Sequence, residues 1–140
     1  NGGRAIQGFF KEVGAFCEEN RADERMAPFT KALKKGLNDL QAATMWLMTN
    51  AMSKPDNAGA ASTDYMHLFG LVALGYMWGR TARAAHEKLA AGANGDASFL
   101  EGKLVTARFF MDRLMPETAA HLARISSGAD SMMALDADAF

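Results

Sequence analysis

The chain is poor in the residues that build sheets: its 140 positions hold 3 Val and 2 Ile against 27 Ala, 13 Leu and 10 Met. β-Branched side chains suit a pleated surface, whereas Ala, Leu and Met lose little rotamer freedom in a helix. The balance excludes most β architectures and predicts an all-α fold. Cysteine is nearly absent, and Cys17 alone cannot form an intramolecular disulfide, which predicts a reducing, cytoplasmic setting. Neither charge sign is in excess. Lys and Arg number 15 and Asp and Glu 16, a net charge of −1, so no long-range field draws nucleic acid or anionic lipid. A long hydrophobic run is also missing. The strongly apolar stretch Tyr65 to Trp78 contains His67 and spaced glycines and falls short of the roughly 20 residues that span a bilayer. The opening Asn-Gly-Gly-Arg lacks both Met and the apolar segment of a signal peptide, which predicts a piece of a longer protein.

What is present is helical periodicity. Ile6, Phe9, Phe10, Val13 and Phe16 form one stripe of a helix over about residues 4–20. Asp23 reads as an N-cap, and from Phe29 the series Leu33, Leu37, Leu40, Thr44, Leu47 and Ala51 keeps one face of a second helix. Ser53-Lys54-Pro55 ends it. Ser62, Thr63 and Asp64 offer cap oxygens for a third helix over about residues 63–91, closed by the glycines at 92 and 95. A fourth helix starts near Asp96 or Ser98, and its seam of Leu100, Leu104, Ala107, Met111, Leu114, Leu122 and Ile125 passes Pro116 in phase. The expectation is one antiparallel up-and-down four-helix bundle over residues 1–140, its last helix kinked near Pro116, with a C-terminal tail over 129–140 of ambiguous state. Gly70, Gly75 and Gly79 are expected to let the third helix approach its neighbours closely.

Catalytic chemistry is hard to find. The Glu-x-x-His pairs of di-metal bundles are missing; Glu117 and His121 stand at i, i+4 and could share a single ligand, but the expected reading is a solvated face with no metal site. Cys17 has Glu18 and Glu19 beside it, which disfavours the thiolate, so it reads as structural. His67 reads as a packing residue. Methionines at 45, 48, 52, 66, 77, 111 and 115 recur at core-like spacing and read as core filling. No catalytic, cofactor-binding or metal-binding residue is assigned. Trp46 and Trp78 lie beside the seams of their helices and are candidate interface residues, with Arg80, Arg83 and, in the tail, Met132, Met133 and Phe140.

Two segments carry a family resemblance. The run from Asp64 to Trp78, Asp-Tyr-Met-His-Leu-Phe-Gly-Leu-Val-Ala-Leu-Gly-Tyr-Met-Trp, followed by Arg80, Ala82 and Ala85, resembles the long helix of a C-terminal extension in a branch of the bacterial acyl-CoA dehydrogenases. Phe99, Lys103, Ala107-Arg108-Phe109-Phe110, Leu114-Met115-Pro116-Glu117 and Gly128 to Leu135 with Phe140 resemble the end of the same extension. That branch includes enzymes acting on 3-methylmercaptopropionyl-CoA. The resemblance implies a parent with FAD, in which a Glu takes the α-proton of an acyl thioester and the β-hydrogen leaves as hydride to the flavin, giving the 2-enoyl-CoA. It also implies an electron-transfer flavoprotein as electron acceptor, core domains outside this chain, and a homo-oligomer. None of the residues for that chemistry is matched here, so this chain by itself is expected to be an inactive packing and assembly module. A different reading has Arg80, Arg83 or Arg108 meeting phosphate at a CoA nucleotide entrance, and a third is an unrelated di-metal bundle.

Overall fold

The computed structural model describes residues 3–92 and 95–139. Five helical segments account for the fold: α1 (Arg4–Glu19), α2 (Ala27–Asn50), α3 (Asp56–Ala90), α4 (Ala97–Arg113) and α5 (Glu117–Ser126). A 3-10 turn, Glu24–Met26, leads into α2, and Asp23 caps it by accepting from the Arg25 amide at 3.0 Å. α4 and α5 are the two halves of the kinked last helix. The break spans Leu114 to Pro116, where the Leu114 and Met115 amides both reach the Phe110 carbonyl and Pro116 supplies no donor.

Pairings across the helices fix the topology. Gly36 and Leu33 of α2 face Val72 and Gly75 of α3, and Thr44 meets Tyr65, so α2 and α3 are antiparallel. α1 runs parallel to α3, with Phe9 stacked on Phe69 at 4.8 Å and Phe16 edge-on to Tyr76 at 5.4 Å. Met115 sits at Gly75 and His121 at His67, which makes the last helix antiparallel to α3. This is the expected up-and-down bundle. Its core is Val13 and Phe16 of α1, Leu33, Leu37 and Leu40 of α2, Leu68 and Val72 of α3, and Met111 and Ile125 of the last helix. Each Leu buried this completely contributes about 1.5–3 kcal/mol.

Three expectations need correction. α3 begins at Asp56, well before the cap-like Ser62-Thr63-Asp64. Pro55 occupies the N-cap, where its missing N–H costs nothing, Asp56 favours the helix dipole, and the Ser62 hydroxyl is satisfied within the helix by the Gly59 carbonyl at 2.9 Å. Second, Gly70 has open space where a Cβ would be; close approach belongs to Gly75, Gly79 and Gly36. Met115 inserts between Gly36 and Gly75, and a Cβ at Gly75 would lie 2.8 Å from its sulfur. Third, the methionines are mostly outside. Met111 and Met115 are buried, but Met45 (63% exposed), Met48, Met52 (89%), Met66 and Met77 are not. Those on α2 lie on a flank beside the Leu33–Leu37–Leu40 stripe, and Met66 and Met77 lie opposite the buried face of α3.

The tail leaves the bundle at Gly128, whose φ of 72° turns the chain. Ala129 is buried and its amide donates to the Asn57 side chain at 3.0 Å, while Asn57 Nδ2 donates to the Asn50 carbonyl at 3.2 Å. Lys54 pairs with Asp130. Residues 130–139 are exposed, and their only regular element among the described residues is a 3-10 turn, Ala137–Ala139.

Candidate functional site

The polar chemistry of the bundle gathers between α3 and α5. Asp64 and His67, three apart on α3, face Glu117, His121 and Arg124 on α5, spaced i, i+4, i+7. His121 is 93% buried by its 7% exposure, and its Nδ1 lies 2.7 Å from Asp64 Oδ1. Arg124 Nε donates to the same oxygen at 2.7 Å, with its Nη2 2.9 Å from His121 Nδ1. His121 Nδ1 thus stands between an acceptor, the Asp64 carboxylate, and a donor, Arg124 Nη2; in the tautomer that bonds Asp64 the proton is on Nδ1. Burial works to raise the Asp64 pKa, but the bonds from His121 and Arg124 outweigh it and hold the carboxyl below its usual range. Beside this clasp opens a cleft of about 330 Å³ lined by Met66, His67, Gly70, Leu71, Leu74, Glu117 and His121. The rings of His67 and His121 are 5.6 Å apart.

The signal for this cluster is the matched helical spacing on two segments that the fold makes antiparallel. Reading Asp64 as a cap hid it. Two expectations change accordingly: the partner of His121 is Asp64 and not Glu117, and His67 is exposed at the cleft, not packed within the core.

Elsewhere polar groups are tied off within the chain. A groove of about 420 Å³ runs between α1 and α2 past Cys17, Arg21, Lys31, Lys34 and Lys35. Cys17 is buried, and burial, with Glu18 adding and Lys34 opposing, raises its thiol pKa. Thr118 Oγ1 donates to Asp39 at 2.7 Å, and Lys35 pairs with the same carboxylate. Burial and the bond to Glu12 raise the Tyr76 pKa. The buried polar residues are Asn20, Thr30, Thr44, Asn57, Thr118 and His121. Among the described residues no carboxylate is in this set.

Comparison with known proteins decides the class. The family described as acetyl-CoA dehydrogenase C-terminal like matches residues 9–136. This chain belongs to that family. It is 33% identical over 129 residues to a 3-methylmercaptopropionyl-CoA dehydrogenase of Ruegeria pomeroyi, covering 92% of the chain and 20% of the relative. It is 29% identical over 136 residues to the broad-specificity linear acyl-CoA dehydrogenase FadE5 of Mycobacterium tuberculosis, covering 92% and 22%. The chain spans about a fifth of the length of these relatives.

As an acetyl-CoA dehydrogenase C-terminal-like domain, the bundle presents its expected interface residues unevenly. Trp46 is half-buried and closes over Gly128, its ring carbons 3.7 and 3.8 Å from where a Cβ would stand, so it clamps the tail. Trp78 is half-buried against the core. Arg80 is exposed and lies over Tyr76 at 5.6 Å, whereas Arg83 lies over Phe16 at 5.0 Å and pairs with Glu19 and Glu87. Arg108 is held by Asp112 at 2.8 Å. Met132 and Met133 are exposed, and Phe140 lies outside the described residues. No helix among the described residues is long and apolar enough to cross a membrane.

Proposed function

We propose that this bundle is the C-terminal domain of an FAD-dependent acyl-CoA dehydrogenase and serves there as a packing and assembly module. The parent oxidises an acyl-CoA thioester to the 2-enoyl-CoA and passes electrons to an electron-transfer flavoprotein. We assign the FAD to core domains of the parent; the buried polar side-chain atoms described here have partners within the chain, which supports that reading.

The observation that supports the packing role is the stripe of Met45 and Met48 on α2 and Met52 in the turn just after it, 63%, 59% and 89% exposed. It borders an open groove lined by Gln7, Phe10, Gln41, Thr44, Met45 and Met48. Flexible thioether side chains shape themselves to a partner surface, and an apolar stripe of this kind favours burial against another domain or subunit. Removing residues 1–140 from the full-length parent is expected to change its oligomeric state by sedimentation and to lower its flavin content and turnover. A truncated parent with all three unchanged refutes the reading.

A further inference from the structure

The α3–α5 cleft has a chemistry that packing does not use. In the tautomer in which His121 Nδ1–H donates to Asp64, the lone pair of Nε2 is the free function. His121 Nε2 has no hydrogen-bond partner among the described residues, and the ring lines the cleft. His67 lines the same cleft from the facing helix.

We propose that His67 and His121 form a two-imidazole site for a divalent transition-metal ion of zinc type, bridging α3 and α5. Two imidazoles bound to one zinc at about 2.0–2.1 Å, with an open tetrahedral or trigonal angle, bring their ring centres to roughly 5–6 Å. The observed separation is 5.6 Å. Asp64 supplies the outer carboxylate that fixes the tautomer and raises the basicity of a ligating imidazole. Glu117, one helical turn before His121, borders the cleft and can swing in, with water completing the shell. No three His, Cys, Asp or Glu side chains already surround one point among the described residues, so the imidazole pair is the anchor and the remaining positions are open. Arg124 is neutralised by Asp64, and Glu117 leaves the cleft edge net negative. The ion would staple α5 onto α3 just past the break at Pro116. This inference stands apart from the packing role and does not rest on it.

The test is a titration of the metal-free chain with Zn²⁺, followed by imidazole nitrogen NMR and by thermal unfolding, with Mg²⁺ as the hard-cation control. Saturation at one equivalent with shifts at His67 and His121 but not His86, and a raised Tm, is the expected result; Mg²⁺ gives neither. His67→Ala, at an exposed position that leaves the fold intact by circular dichroism, abolishes both effects. Equal Zn²⁺ binding by His67→Ala, equal shifts at His86, or no saturable binding overturns the proposal.

Discussion

Asn57 shows how one side chain can tie three segments. Its oxygen takes the amide of buried Ala129 and its nitrogen caps the Asn50 carbonyl. Asn57→Ala strands a buried N–H, which costs about 1–3 kcal/mol, and denaturant unfolding should show that loss. Asp64 makes a prediction in pH. Its folded pKa is depressed, so its contribution is complete above the unfolded value of about 3.9 and is lost as pH falls through the lower folded value. The stability difference between the native chain and Asp64→Asn should therefore be flat from neutral pH to about 4 and shrink below it. A difference that already fades between pH 7 and 5 contradicts this assignment. Cys17 belongs to the same scale: burial and a raised pKa predict alkylation at neutral pH far slower than in the unfolded chain, read by thiol labelling with and without denaturant.

At the scale of elements, the glycines separate into two kinds. A Cβ at Gly79 would stand 3.0 Å from the Phe16 ring, which Tyr76 and Arg83 hem in, so the ring has little freedom to yield. Gly79→Ala should lose about 1 kcal/mol net, because overpacking exceeds the gain in helix propensity. Gly102 meets nothing within 4 Å, and Gly102→Ala should gain roughly 0.5–1 kcal/mol, visible as a higher Tm. Helix number, the Pro116 kink and the seams of α2 and α4 were legible in the sequence because periodicity records which face is buried. Periodicity does not say which of two apolar faces turns inward. Met66 and Met77 have the same spacing as a core stripe, yet they lie opposite the face that packs, as Leu68 and Val72 show. The α3–α5 cluster was illegible for a related reason: Asp64 lies 57 positions from His121 and 60 from Arg124, and only the antiparallel register brings them together.

For the whole molecule, a satisfied polar interior and exposed methionines are what the proposed packing role calls for. The family is described as acetyl-CoA dehydrogenase C-terminal like, and the proposed partner is the remainder of a longer parent protein or its neighbouring subunit. The most direct measurement is methionine oxidation by dilute peroxide, residue by residue, in this chain alone and in the full-length parent. In the chain alone, Met45, Met48, Met52, Met66 and Met77 should all oxidise readily, while buried Met111 and Met115 resist. In the parent, Met45, Met48 and Met52 should become protected together. Oxidation of these three at unchanged rates in the full-length protein would contradict the packing role.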